Sequence, residues 1–243
     1  MYNKNTYPER IIPNQTFGGP LAAHLKRYEF VNKLCKDKIV LDAACGVGYG
    51  SFYLSETAKE VTGVDISTEA ITYAKEHYQK ENTRFQAMDV GNLDFPERYF
   101  DIICSFETLE HLDNPLEFLA EVKRILKEGG ILIISTPQAK RTVIKPENPY
   151  HKVEFSRNDF NDALGKYFSE VEILGQRRRQ SAVHYWIQKA DIFHLRGLLS
   201  GSFRRKICHG AATRSWDEAG VEDFIISKEA IGRATELIGV CRK

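Results

Sequence analysis

Three carboxylates and a glycine-rich turn carry the first chemical signal in this 243-residue chain. The run Val40-Leu-Asp-Ala-Ala-Cys-Gly-Val-Gly-Tyr-Gly50 leads an apolar strand segment into an acid, Asp42, and then into Gly46, Gly48 and Gly50. Glycine lets the backbone approach a ligand closely, and a helix starting behind the turn offers unpaired N–H groups, so this corner suits a nucleotide. A carboxylate at the lip of such a loop brings nothing to a pyrophosphate, but it favours a ligand carrying an amine and a sulfonium. Asp65 lies 19 residues after Gly46 and closes Val61-Thr-Gly-Val-Asp65, where a carboxylate is suited to hold both hydroxyls of a ribose. Asp89 closes a third strand and is placed to accept from an adenine amino group, with Met88 or Val90 flanking the ring. Ser51 stands where the third glycine of a GxGxxG pattern would fall.

Alternating elements must position these residues. Apolar runs at 38–41, 60–64, 83–87, 100–105 and 131–135 predict strands, and 51–57, 68–80 and 115–127 predict helices between them. Asn114-Pro115 reads as a cap followed by a first-turn proline, and Gly129-Gly130 as the close of that helix. Alternation of this kind predicts parallel strands joined by right-handed crossovers, whose carboxyl ends, with Asp42, Asp65 and Asp89, face one crevice. The expected architecture is a single α/β domain over 1–243, a Rossmann-like doubly wound sheet, mostly parallel. It comprises an N-terminal lid helix (1–36), a core sheet (37–176), a basic insertion (177–230) and an antiparallel C-terminal edge strand (231–243). A hydrophobic content of 42% suffices for one full core.

Net charge is +1, so the molecule as a whole is not a general nucleic-acid binder. Five cysteines at 35, 45, 104, 208 and 241 contain no CxxC pair, which argues for reduced thiols and against a disulfide framework or a zinc site. The N-terminus lacks the apolar segment of a signal peptide, and no run approaches the ~18–20 apolar residues of a membrane span. A soluble cytoplasmic protein is expected, with no metal required; the sequence leaves its oligomeric state open.

As a set, these motifs resemble the class I S-adenosylmethionine-dependent methyltransferases. Val40–Gly50 is similar to their first motif and Val64-Asp65-Ile66-Ser67 to their second-strand motif. Phe100-Asp-Ile-Ile-Cys-Ser-Phe-Glu-Thr-Leu-Glu-His-Leu112 is similar to the fourth strand, and Arg124 through Pro137 to the helix, Gly-Gly turn and fifth strand. Ala44 departs from the pattern, since many members have glycine there, but it is small enough to leave room for a methionine moiety. The resemblance implies S-adenosyl-L-methionine as cofactor and S-adenosyl-L-homocysteine as product. Gly46 and Gly48 would lie under the methionine and ribose, Asp42 near the amino group, Asp65 and Ile66 at the ribose, and Asp89 with Met88 and Val90 at the adenine. Ser105 and Phe106 would line the sulfonium side. The leader and the segment Asn148–Ser156 resemble the sugar, glycan and ubiquinone-type methyltransferases, in which an N-terminal helix closes over the cofactor; this implies Arg27 and Tyr28 as contacts to its carboxylate.

Methyl transfer from a sulfonium is an in-line displacement in which the enzyme aligns the acceptor and removes a proton if the acceptor is a hydroxyl. His111, after the fourth strand, and His151, in the loop after the fifth, are alternative bases, with Tyr150 shaping the acceptor pocket. The stretch 177–206 holds eight basic residues against one acid. It reads as a solvated face, as a phosphate clamp built on Arg177, Arg178 and Arg179, or as a membrane-surface segment. These readings suit a small-molecule or glycan acceptor that is phosphorylated or lipid-linked, with peripheral membrane contact and no nucleic acid. The expected activity is O-methylation of a sugar, glycan or similar hydroxylated metabolite. The alternatives are an N-methyltransferase of an amino sugar, an O- or C-methyltransferase of a quinone precursor, and a non-catalytic cofactor-binding regulator.

Overall fold

The computed structural model describes residues 9–179 and 215–243. An eight-stranded sheet runs in the order β3-β2-β1-β4-β5-β10-β8-β9. Its parallel half contains β1 (Ile39–Ala43), β2 (Glu60–Asp65), β3 (Thr83–Ala87), β4 (Phe100–Phe106) and β5 (Leu126–Pro137). Helices α1 (Gly19–Asn32), α2 (Tyr49–Leu54), α3 (Thr68–Tyr78) and α4 (Pro115–Ile125) precede or connect these strands. A short β6–β7 hairpin (Val143–Ile144, Val153–Glu154), α5 (Arg157–Gly165), β8 (Glu170–Arg178), β9 (Phe224–Ser227) and β10 (Glu236–Arg242) follow. The sequence pattern locates the parallel strands to within two or three residues at most ends, and Ser156 caps α5 by accepting from the Asp159 N–H, as its position suggested.

Both faces of the sheet are covered, and the side-chain period of 2 shows how. Leu41, Ile103, Ile134 and Leu237 enter one core with Phe118 and Leu119 of α4 and Phe160 of α5. Their chain neighbours Val40, Ile102, Ile133 and Ile238 enter the other, with Tyr28 and Val31 of α1 and Leu54 of α2. A strand buried on both faces must be apolar at consecutive positions, which is why the central strands read as continuous runs.

Two expectations are corrected. The final strand is antiparallel, but β10 is not an edge: it is inserted between β5 and β8, and β9 forms the edge. Its Leu237, Ile238 and Cys241 are fully buried, as an interior strand requires. Gly129-Gly130 does not close α4, which ends at Ile125 and passes directly into β5. The glycines instead form a kink inside β5, with Gly129 at φ 72°, where the two ends of Lys243 and the Gly129–Gly130 backbone exchange hydrogen bonds.

Candidate cofactor and acceptor site

Strand order reverses between β1 and β4, so the crevice at their carboxyl ends is the topological switch point where ligands of open α/β sheets bind. The loop after β1 meets it. Gly46 and Gly48 adopt φ of 57° and 88°, and Ala44 joins them at 63°, a left-handed conformation that accounts for glycine being common there in the family it resembles. The glycines differ in what they face. A Cβ on Gly48 would lie 2.6 Å from Ala74 Cβ, and one on Gly50 would lie 1.9 Å from the Tyr28 ring. A Cβ on Gly46 would meet nothing nearer than the Arg10 side chain at 3.9 Å. Gly48 and Gly50 therefore serve packing, and Gly46 alone borders open space on the ligand side.

Asp65 is the anchor of this corner. Its Oδ2 accepts from the Gly46 N–H and its Oδ1 from the Ser67 N–H, each at 2.9 Å, while Arg10 Nη2 pairs with Oδ1 at 2.9 Å. Beside it Ile66 is 62% exposed, an apolar side chain open to a ring at the rim. Asp89 is exposed and accepts from the Gly91 N–H, next to the half-buried Met88 and the buried Val90. The ribose and adenine candidates thus converge on one rim.

Asp42 lies deeper. It is 1% exposed and accepts from Tyr28 Oη (3.2 Å to each oxygen), Ser51 Oγ (2.7 Å) and Cys104 Sγ (3.6 Å). Burial pushes its carboxyl up to about 6 against the opposing pull of those three donors. A folded-state value above the ordinary 3.8 means that Asp42 favours the fold below that value and loses this contribution as pH rises through 6. Asp42→Asn is therefore expected to gain on the wild type by about 2 kcal/mol between pH 4.5 and 7.5. Urea unfolding at the two values checks this, and a gap that does not change with pH would refute a buried, titrating Asp42.

Tyr28 is thus tied to Asp42, and Arg27 pairs with Glu107 Oε1 at 2.8 Å and approaches Ser135 Oγ at 3.3 Å. Both belong to α1, which brings them over the ends of β1, β4 and β5. Phe106 stacks edge-on to Tyr28 at 5.0 Å, with the Arg27 guanidinium 5.8 Å from its ring. Glu107 holds φ 51°, a left-handed conformation that a non-glycine residue rarely adopts. Among the described residues, Ser105 Oγ, Glu110 Oε1 and Arg27 Nε are buried without a hydrogen-bond partner. Burial and the Glu107 charge hold the Glu110 carboxyl well above the usual range.

The two histidines meet. Their ring centroids are 4.9 Å apart, His111 Nδ1 lies 2.9 Å from the Tyr150 carbonyl, and His151 Nδ1 lies 2.9 Å from Glu154 Oε1. Tyr150 itself is half exposed on the same loop. The arginines go elsewhere. Arg177 and Arg178 are in β8 opposite Ile225 and Phe224, Arg178 donates to the Ser215 carbonyl beside Trp216, and the Arg179 N–H bonds to Asp223 O. The rest of the basic run, 180–206, lies outside the described residues. Sequence reasoning assigned no site role to Glu9, Arg10, Ser51, Glu107, Glu110 or Ser135; of these Ser51, standing in a glycine's place, carried a local signal.

A doubly wound sheet with a glycine loop at its switch point and an acid closing the next strand is the arrangement of a nucleotide-cofactor domain. Residues 41–134 match the family model described as "Methyltransferase domain". A Mycolicibacterium smegmatis protein described as "Probable S-adenosylmethionine-dependent methyltransferase" is 28% identical over 150 residues, 60% of this chain and 57% of that one. A Coxiella burnetii "Ubiquinone biosynthesis O-methyltransferase" is 38% identical over 103 residues, 42% of this chain and 44% of that one. The Burkholderia thailandensis 1,6-didemethyltoxoflavin-N1-methyltransferase, solved with its substrate and S-adenosylhomocysteine bound, superposes with a TM-score of 0.57. It is 18% identical and the match covers 91% of this chain and 78% of that one. Residues 41–134 thus carry a methyltransferase domain, and the chain is similar over that core to S-adenosylmethionine-dependent methyltransferases. Its matched part spans a little over half the length of the Mycolicibacterium relative. The open face of Gly46, the Asp65 carboxylate and exposed Ile66 fit that cofactor.

None of the helices in the described residues is long and apolar enough to cross a membrane. Cys35, Cys45, Cys104 and Cys241 are free and buried.

Proposed function

We propose that this chain transfers a methyl group from S-adenosylmethionine to a hydroxyl of a small hydroxylated acceptor, a sugar, a glycan or a related metabolite. The observation that carries the acceptor side is the convergence of His111 and His151, 40 residues apart in sequence, just beyond β4. Bound cofactor supplies an electrophilic methyl carbon: the acceptor oxygen forms the C–O bond, the C–S electron pair stays on sulfur, and the hydroxyl proton leaves. The residues of this chain hold the donor at Gly46 and Asp65 and present imidazoles where that proton must go. In both rings Nδ1 faces an oxygen acceptor, an arrangement that in a neutral imidazole places the proton on Nδ1 and leaves the Nε2 lone pair free. Glu154 orients His151 as a carboxylate orients a catalytic imidazole.

The Coxiella relative's O-methyltransferase description supports an oxygen acceptor. An N-acceptor needs no such proton removal once the amine is neutral. The expected result is that His111→Ala and His151→Ala each lower turnover by roughly 100-fold, a general-base magnitude, without changing S-adenosylhomocysteine affinity. Release of S-adenosylhomocysteine with a panel of hydroxylated acceptors measures this. Full turnover in both variants across pH 6–9 would remove the histidines from the mechanism and favour an amine acceptor.

A further inference from the structure

We propose that Glu9, His111 and His151 form a divalent-metal site that takes the acceptor's oxygen. One ligand-capable atom from each of the three residues lies within 4.8 Å of the other two. Two imidazoles and one carboxylate, with the remaining positions open, are the donor set that zinc and other borderline divalent ions use when they act on a bound oxygen. Calcium and magnesium, which favour all-oxygen shells, suit it less.

The second layer of contacts carries the inference further than proximity does. Imidazoles that bind metals usually give their other N–H to a carbonyl or a carboxylate, which fixes the tautomer and points the free lone pair at the ion. Both histidines are held this way: His111 by the Tyr150 carbonyl at 2.9 Å and His151 by Glu154 Oε1 at 2.9 Å. Glu9 is held as well, its Oε1 accepting from Asn148 Nδ2 at 2.9 Å. The loop of residues 148–154 thus supplies a supporting contact to each of the three. Bonds of about 2.1 Å around one ion set neighbouring donors about 3.4 Å apart, so the trio, whose donors all lie within 4.8 Å of one another, needs to close by no more than about 1.4 Å on loading.

This rests on the acceptor-side reading above and changes its chemistry. The histidines act together as ligands, not as alternative bases, and the ion lowers the pKa of a coordinated hydroxyl, whose proton passes to solvent. It also departs from the sequence reading, which called for no metal and in which Glu9 had no role.

The test uses the full chain stripped with chelator, then titrated with Zn²⁺ by calorimetry and with Co²⁺ by visible absorption. One ion per chain is expected, with a cobalt spectrum of nitrogen and oxygen ligation. Glu9→Gln, His111→Ala and His151→Ala should each weaken binding at least tenfold, and Glu154→Gln should weaken it roughly tenfold through His151. S-adenosylhomocysteine affinity, measured on the same variants, should hold and shows that they are folded. No saturable binding, or one-to-one binding that survives both histidine substitutions, would overturn the site. Metal binding that obeys these substitutions while the stripped protein keeps full turnover would overturn its role at the acceptor. Loss of S-adenosylhomocysteine binding by the wild-type chain would sink the methyltransferase reading instead, and calorimetry separates the two failures.

Discussion

Asp65→Ala is expected to weaken S-adenosylhomocysteine binding by about 1–3 kcal/mol, or roughly five- to 150-fold. The carboxylate sits at the end of β2 with side-chain exposure of only 6%, and two backbone N–H groups, from Gly46 and Ser67, already point its oxygens at the ligand rim. A ribose hydroxyl arriving there meets a charged acceptor fixed in place, so little ordering is needed on binding. Arg10 now pairs with Oδ1 and must shift or share it when the ribose arrives. Arg10→Ala should accordingly tighten binding, because a state in which the carboxylate is already engaged subtracts from the competent population. Calorimetry on both variants checks the pair, and unchanged affinity in Asp65→Ala would remove it from the cofactor site.

The second large effect separates packing from binding within one loop. Gly50→Ala should cost about 3 kcal/mol or more of stability, because the new Cβ would lie 1.9 Å from Tyr28 Cζ and 2.3 Å from both flanking ring atoms. That ring cannot yield cheaply: it is buried between α2 and Phe106, and its hydroxyl is tied to Asp42. In a domain of this size the melting temperature should fall by roughly 6–12 °C. Gly46→Ala should behave differently. Its Cβ meets no atom within 3.9 Å, so stability falls only by the cost of a left-handed alanine, about 1–2 kcal/mol, while the methyl group intrudes where the cofactor's backbone contact belongs. Thermal unfolding and calorimetry on the two variants should therefore rank them in opposite orders. A Gly50→Ala protein that melts like the wild type would contradict the packing assigned to Tyr28.

Much of this was legible because it is local. A continuous apolar run ending in an acid, then glycines at two-residue spacing, specifies a buried parallel strand and the turn behind it within about ten residues. Asp65 and Asp89 followed from the same logic, one strand at a time. What stayed hidden depends on contacts between distant segments. Asp42 looked like a ligand for an amine, but its oxygens are engaged by Tyr28, 14 residues before it, and Cys104, 62 after it. Nothing in the sequence near β10 shows that the chain would return between β5 and β8; consecutive buried residues are compatible with either an interior strand or an edge covered by helices. Arg10 and Glu9 stand in a leader with no periodic pattern, so their roles emerge only once that leader lies against Asp65 and Asn148. The histidines were each visible, and their meeting was not, since it needs the loop after β5 to fold back over the end of β4.

The central claim is that the crevice between β1 and β4 holds S-adenosylmethionine, and titration calorimetry of the purified full chain with S-adenosylhomocysteine tests it most directly. One saturable site per chain is expected, weakened in Asp65→Ala and lost in Gly46→Ala while both proteins remain folded. A folded wild-type chain that takes up no S-adenosylhomocysteine would contradict it.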